Sequence, residues 1–320
     1  MKGIVIMFRH KTVLLTPAID ALCVHDGGTY VDATFGRGGH TQYLLNKGTN
    51  LTVLAFDRDQ QAIDAGKELV TTTNNQTSNH LELIKANFED LQEQLKQRQI
   101  FNLDGIVYDL GVSSPQFDDP TRGFSYRYDA RLDMRMDQSQ DLDAEYIVNH
   151  WEYQQLVRIF FRYGDEKFSK RIARSIINHR QKTPITSTLQ LVEVIKEAIP
   201  AAARRQGGHP AKKVFQALRI AVNDELGALE QSLTAAINLL LPGGYISVIT
   251  FQSLEDRIVK QIFRENAQLN VPGDMPVVPD NLEPKLKVIT KKPILPSAEE
   301  LEHNHRAHSA HLRVAQKLHQ

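Results

Sequence analysis

Asp32-Ala33-Thr34-Phe35-Gly36-Arg37-Gly38-Gly39-His40 closes the β-rich run Thr29–Phe35 (TYVDATF) and opens onto sequence with helical potential. Glycines at such a junction let the backbone turn tightly and approach a ligand that a Cβ would block. The helix N-terminus beyond them favours an anionic group. A G-x-G-x-x-G reading fails, because Gly36 and Gly38 need a third glycine where Thr41 stands. This argues against a dinucleotide fingerprint.

Three further β-rich runs follow, Leu51–Asp57 (LTVLAFD), Leu81–Ala86 (LELIKA) and Leu103–Leu110 (LDGIVYDL). Helical sequence such as Gln60–Thr71 and Phe88–Arg98 separates them. This alternation predicts a parallel sheet with helices on both faces. A helix is expected before the first strand, with Thr16 as its N-cap and Pro17 at its first position. Beyond Gly111 the pattern breaks. Pro115–Gln140 holds prolines, aromatics and many charges, as a long functional loop would, and basic helical sequence runs from about Ala144 to Pro200. The pattern returns with a helix Val214–Leu240, the turn Pro242-Gly243-Gly244, the run Tyr245–Phe251 and a helix Leu254–Asn266. Leu286–Thr290 reads as a late strand and Leu301–Leu318 as a terminal helix. The expectation is a doubly wound, mostly parallel α/β sheet built from 1–115 and 214–320, interrupted by a loop and helical domain at 116–213.

Asp57 ends the second strand, 19 residues after Gly38. A carboxylate at that tip is placed to accept hydrogen bonds from both hydroxyls of a ribose. With no pyrophosphate fingerprint and no Walker lysine, the pattern suits S-adenosylmethionine better than NAD or ATP. Asp109-Leu110-Gly111-Val112-Ser113-Ser114-Pro115-Gln116 ends the fourth strand, whose tip meets those of strands one and two beside the topological switch point. Ser113-Ser114-Pro115 is similar to the Ser/Asp/Asn-Pro-Pro-aromatic loops with which amino-group methyltransferases hold an exocyclic NH2.

The chain has 320 residues, 41% apolar and 24% charged, the composition of an ordinary globular protein with roughly two domains. No apolar run approaches the roughly 18 residues of a membrane span. The opening MKGIVIMFRHK has too short an apolar stretch and no small-residue cleavage site, so no export signal is read. A lone cysteine, Cys23, excludes an internal disulfide framework and fits a reducing cytoplasm. The formal charge is zero, with 38 basic and 38 acidic residues, but it is segregated: Trp151–Ile220 holds 14 Lys/Arg against 5 Asp/Glu. Such a distribution is the footprint of a polyanion binder.

Taken together these pieces resemble the bacterial MraW family of 16S ribosomal RNA cytosine-N4 methyltransferases. The resemblance begins at His10-Lys11-Thr12-Val13-Leu14-Leu15 and runs through Phe35–His40, Phe56–Asp59 and Asp109–Gln116. It continues through Arg122-Gly123-Phe124-Ser125, Leu132-Asp133-Met134-Arg135-Met136, Phe215-Gln216-Ala217-Leu218-Arg219 and Ser253-Leu254-Glu255-Asp256-Arg257. It implies a Rossmann-like class I methyltransferase sheet, S-adenosylmethionine as methyl donor, and N4 of a cytidine in the decoding region of 16S rRNA as acceptor. The partner is then 16S rRNA in the small ribosomal subunit or its precursor, in the cytoplasm, with the enzyme a monomer or a dimer. It also implies that Gly38, Gly39, His40, Asp57, Phe88, Asp109 and Gln116 contact the cofactor. Asp109, Ser113 and Ser114 are the expected catalytic residues, accepting the hydrogens of the amine.

Two departures from the family stand out. Gln252 occupies the place of the usual histidine in the Phe-His-Ser-Leu-Glu-Asp-Arg stretch, and glutamine cannot take a proton near neutral pH. Histidines also replace basic residues in Asn304-His305-Arg306-Ala307-His308-Ser309-Ala310-His311-Leu312-Arg313. His303, His305, His308 and His311 lack an obvious fixed third ligand, so no metal site is expected. Phe124, Tyr126 and Tyr128 either anchor the long loop or stack on an unpaired base. Asp129, Asp133 and Asp137 alternate with Arg127, Arg131 and Arg135, as in a local salt-bridged segment. The rival functions are a methyltransferase for another base or a small molecule, and a non-catalytic RNA-binding protein on a vestigial cofactor fold.

Overall fold

The computed structural model describes residues 12–112, 114–205, 208–268 and 283–319, and of residues 114 and 115 the backbone alone. The chain divides into two compact units, one formed by 1–111 with 227–320 and the other by 112–226.

The first unit carries a seven-stranded sheet of β1 (Thr29–Asp32), β2 (Thr52–Asp57), β3 (His80–Lys85), β4 (Leu103–Asp109), β5 (Leu240–Thr250), β6 (Leu286–Val288) and β7 (His311–Lys317). The order is β3-β2-β1-β4-β5-β7-β6. β1 to β5 run parallel, and β7 is antiparallel to both of its neighbours. The chain winds outward from β1 through β2 to β3, then returns to place β4 on the other flank of β1. The topological switch point therefore lies between β1 and β4, as the alternation of runs predicts.

Parallel strands covered on both faces read as continuous apolar runs, and alternate residues serve alternate faces. Along β2, Leu54 and Phe56 join one buried cluster with helical Leu229, Leu233 and Phe263, whereas Val53 and Ala55 join the other with Ile19 and Leu44. Tyr30 and Val31 divide in the same way on β1. The sheet is doubly wound because its strands have no polar face to give to water.

Four elements differ from the sequence expectation, one of them the turn expected at Pro242-Gly243-Gly244, which lies inside the strand β5. The terminal helix over 301–318 is instead a short helix, Ala298–His303, a 3-10 turn, His305–Ser309, and the strand β7. Apolar Leu312, Val314 and Ala315 suit either period, and pairing on both sides with β5 and β6 decides for the strand. The helix expected over 214–240 is two helices, Lys212–Asn223 and Glu225–Leu239, broken where Asp224 adopts φ 44° and ψ 43°. The division between units falls just past that break, so Val214, Phe215 and Leu218 pack in the second unit. The first helix, Leu15–Asp20, starts after Leu14 in a left-handed conformation and has no side-chain cap, so Thr16 lies within it.

The second unit is helical, with Ala144–His150, Tyr153–Arg162, Ser169–Arg180, Thr188–Ala198 and Lys212–Asn223 around a core that includes Met134, Phe160, Ile172 and Leu191. The loop over 115–140 is organised by Arg122, which is 1% exposed and donates to the carbonyl oxygens of Arg135 and Met136, both at 3.0 Å. Of the alternating charges, Asp133 pairs with both flanking arginines, Arg131 at 3.0 Å and Arg135 at 2.8 Å. Burial works against the Asp133 carboxylate, but Arg135 and Arg131 hold its pKa below the usual range. Phe124 is buried and Tyr126 stacks on His209 at 4.3 Å, so both anchor the loop, while Tyr128 is exposed.

Candidate active site

Asp32, the last residue of β1, is fully buried and organises the glycine loop beyond it. Its Oδ1 accepts the Thr34 backbone N–H at 3.1 Å and its Oδ2 the Thr41 hydroxyl at 2.7 Å. The carboxylate thus ties the loop to the helix Gly39–Leu45 that the loop enters. Gly38 caps that helix at φ 75°, a conformation that favours glycine. At Gly39 a Cβ would stand 1.9 Å from the Thr12 hydroxyl oxygen, so a side chain there would have to displace Thr12.

Asp57, the last residue of β2, accepts the backbone N–H of Gly36 on Oδ2 and that of Asp59 on Oδ1, both at 2.8 Å. Burial nonetheless pushes its pKa up to about 6. Each oxygen keeps lone-pair capacity beyond the bond it already accepts. Asp59 in turn caps the helix Gln60–Gln76 by accepting the Gln61 backbone N–H.

Asp109 ends β4. Its backbone N–H donates to the Thr34 hydroxyl at 2.7 Å, and its Oδ2 lies 3.7 Å from Nδ1 of the buried His40. Its Oδ1 is buried with no hydrogen-bond partner. Burial, then the negative charges of Asp32 and Glu255, raise its pKa well above the usual carboxylate range. Glu255 comes from the helix Ser253–Asn266 after β5. It is buried and accepts the backbone N–H groups of Phe251 and Gln252 at 3.0 and 3.2 Å and the Gln252 side-chain amide at 2.9 Å.

The structure therefore brings Gly38, Gly39, His40, Asp57 and Asp109 to the carboxyl ends of three adjacent parallel strands. Phe88 begins the 3-10 turn after β3 and meets the Tyr108 ring edge-on at 5.9 Å. Gln116 is buried in the short helix Ser114–Asp118, which belongs to the second unit. Ser113 lies outside the described residues, as do His10, Lys11 and the side chain of Ser114. Asp32, Thr34 and Glu255 join the site without being among the candidates that the sequence offers. Asp32 sits in the loop motif itself, and Gln252-Ser253-Leu254-Glu255 has the spacing of a capping box, so both left a signal.

Carboxylates at the tips of β1, β2 and β4 make a poor seat for a polyphosphate and a good one for a ligand rich in hydroxyl and amine donors. An unpartnered buried acceptor such as Asp109 Oδ1 costs free energy until a donor reaches it. Among the described residues no cluster of three or more His, Cys, Asp or Glu side chains is placed to hold a metal, and His305 and His308 stack on each other at 5.9 Å. Among those residues, too, no helix is long and apolar enough to cross a membrane.

The chain is 58% identical over 313 residues to the ribosomal RNA small subunit methyltransferase H of Lactobacillus johnsonii, covering 97% of this chain and 99% of that one. It is 56% identical over 312 residues to the protein of the same name from Lactobacillus delbrueckii subsp. bulgaricus, with the same coverage. A solved rRNA methylase from Streptococcus thermophilus aligns over 97% of this chain and 99% of its own, at TM-score 0.43 and 11% identity. The model of the MraW methylase family matches residues 7–318, and the chain belongs to that family.

Proposed function

We propose that this chain transfers a methyl group from S-adenosylmethionine to N4 of a cytidine in the decoding region of 16S rRNA, acting in the cytoplasm on the small subunit or its precursor. The observation that carries the reading is the pair of acceptors at neighbouring strand tips, Asp57 held by two backbone N–H groups and Asp109 with an unpartnered oxygen. Both suit a ligand with a ribose and an amine, and the family and its close relatives support methyl transfer to small-subunit rRNA.

S-adenosylmethionine, when bound, supplies a methyl carbon already activated by a positive sulfur. The residues present fit it. Asp57 accepts the ribose hydroxyls, the glycine loop leaves room for close approach, and Gly38, Gly39 and His40 line that loop. Phe88 offers an aromatic surface to the adenine, and Gln116 a polar contact. The protein's main task is alignment, and proximity with correct orientation contributes about 7–11 kcal/mol.

Cytidine N4 is a weak nucleophile because its lone pair is conjugated with the ring. Acceptors at Asp109, Ser113 and Ser114 accept hydrogen bonds from its N–H groups and localise that lone pair on the nitrogen. The methylated nitrogen is strongly acidic, so its proton leaves to water without a dedicated base. Gln252, in the place of the family histidine, is compatible with this because glutamine does not titrate. The target base must be unpaired or extruded, since N4 is engaged in a duplex. The basic second unit holds RNA phosphates, which makes the reaction salt-sensitive.

Incubation with methyl-labelled S-adenosylmethionine and immature small subunits, followed by nuclease digestion and mass spectrometry, tests the reading. N4-methylcytidine in a decoding-region fragment is the expected result. Label on another base, or none on RNA, overturns it.

A further inference from the structure

The second unit carries a cationic face that its own fold leaves unneutralised. On the helix Tyr153–Arg162, Leu156, Ile159 and Phe160 are buried, while Arg158, Phe161 and Arg162 are exposed. On the helix Ser169–Arg180, Ile172, Ala173 and Ile176 are buried, while Lys170, Arg171 and Arg174 are exposed. The two helices pack together. Tyr153 donates its hydroxyl to the Lys170 carbonyl at 3.5 Å, and the Arg174 guanidinium lies 4.8 Å over the Tyr153 ring.

Between Tyr153 and Arg180 the cations outnumber the acids, which are Asp165 and Glu166. Neither acid offsets the cations of the exposed sides. Asp165 sits 3.7 Å from Lys213 Nζ, and Glu166 is buried with its Oε1 accepting the Phe168 backbone N–H at 2.8 Å. Among the described residues, Arg158, Arg162, Lys170 and Arg171 have no ion-pair partner. Like charges gathered on one pair of helices repel one another and give the fold nothing in return. Phe161 stands among them at 64% exposure, although an aromatic ring normally seeks cover.

We propose that the outward sides of these two helices form the docking surface for an RNA strand, with Arg158, Arg162, Lys170 and Arg171 on phosphates and Phe161 stacked on an unpaired base. The residues define the partner's chemistry. A polyanion with a repeating charge resolves the repulsion, and a flat base covers a lone exposed ring. Arginine suits this task, because its planar fork pairs with phosphate in two-point geometry. This inference rests on the rRNA reading above and names the surface by which the substrate is held.

The test uses the full-length protein, with R158Q/K170Q/R171Q, the charge-keeping R158K/R171K, and F161A. Binding of fluorescein-labelled, protein-free decoding-region RNA is followed by anisotropy between 50 and 200 mM salt. Each phosphate contact removed lowers the slope of log affinity against log salt by about one, so the triple variant is expected to lose about two to three units of slope and at least roughly tenfold in affinity near 100 mM salt. R158K/R171K is expected to keep the slope. F161A is expected to weaken binding about tenfold with the slope unchanged. In methylation assays KM rises in the triple variant while kcat and the calorimetric affinity for S-adenosylmethionine stay as in the wild type.

Wild-type affinity and slope in the triple variant overturn the proposal. Normal binding to free RNA with weakened binding to whole subunits also overturns it, and assigns the face to an acidic ribosomal protein surface. A wild-type protein that methylates no rRNA sinks the underlying reading instead, and the anisotropy series separates the two failures.

Discussion

Asp57, at the end of β2, accepts the backbone N–H of Gly36, in the loop after β1, at 2.8 Å. The acid expected to hold a ribose and the loop expected to admit it are thus joined before any ligand arrives. Asp59 N–H on the other oxygen completes the clamp. The ribose hydroxyls add to carboxylate oxygens whose direction is already set.

Asp57→Asn removes one acceptor and the negative charge while keeping the shape. The hydrogen bonds at stake, made to a charged group, contribute about 1.5–3 kcal/mol. S-adenosylmethionine affinity is expected to fall roughly ten- to hundredfold, as read by calorimetry, and the backbone N–H of Gly36 or Asp59 that then faces the amide NH2 loses its acceptor, at about 1–3 kcal/mol of stability. An unaltered dissociation constant refutes the ribose assignment.

The same carboxyl carries a pH signature. Burial raises its pKa to about 6, so the folded chain holds the proton more tightly than the unfolded chain does. Its contribution to stability is then greatest below the ordinary carboxylate range and is lost as pH rises through about 6. Hydroxyl donors favour the ionised form, so cofactor affinity should improve as pH climbs through that window and level off above it. Asp57→Asn should flatten the curve. Calorimetric titrations from about pH 5 to 8 on both proteins decide the point.

Glu255 is expected to act on Asp109 through charge. In Glu255→Gln a negative neighbour disappears, the pKa of Asp109 falls, and the acidic limb of the kcat/KM profile moves to lower pH. The weakened cap of the helix Ser253–Asn266 costs about 0.5–2 kcal/mol of stability. A pH profile identical to the wild type disconnects Glu255 from the reaction.

Ser113→Ala and Ser114→Ala, singly and together, test the amine-holding loop. Single-turnover methylation is expected to slow about tenfold for each, at unchanged cofactor affinity, if each hydroxyl acceptor contributes about 1–1.5 kcal/mol. Rates equal to the wild type in all three proteins remove these serines from the mechanism.

Arg122→Met tests the order of the loop over 115–140. The carbonyl oxygens of Arg135 and Met136 lose a buried donor, at about 1–3 kcal/mol each. Hydrogen exchange should accelerate across residues 115–140 while the amides of β1, β2 and β4 keep their protection. Uniform exchange across the whole chain argues against this local role.

The four early strands were legible because Leu54, Phe56, Ile106 and Tyr108 belong to strands covered on both faces, which forces unbroken apolar runs. The glycine loop, Asp57 and Asp109 were legible because backbone turns and strand tips leave marks at fixed spacing. β7 was not, since its apolar residues fit two periods and only its neighbours β5 and β6 choose between them. Nor was the break at Asp224, since the only glycine of the stretch, Gly227, lies inside the second helix and does not mark it. Glu255 escaped because its proximity to Asp109 joins strand tips far apart in sequence.

The sheet is assembled from two stretches of chain, 1–111 and 227–320, with the helical unit encoded between them. A polypeptide leaving the ribosome N-terminus first therefore displays β4 with one flank bare until β5, residues 240–250, has been made. The helical unit, being continuous, is free to settle during that interval, whereas the sheet waits for β5 to cover the open edge. Unprotected strand edges invite pairing with other chains. The interval between the synthesis of β4 and that of β5 is thus the one in which this protein is most exposed to misassembly.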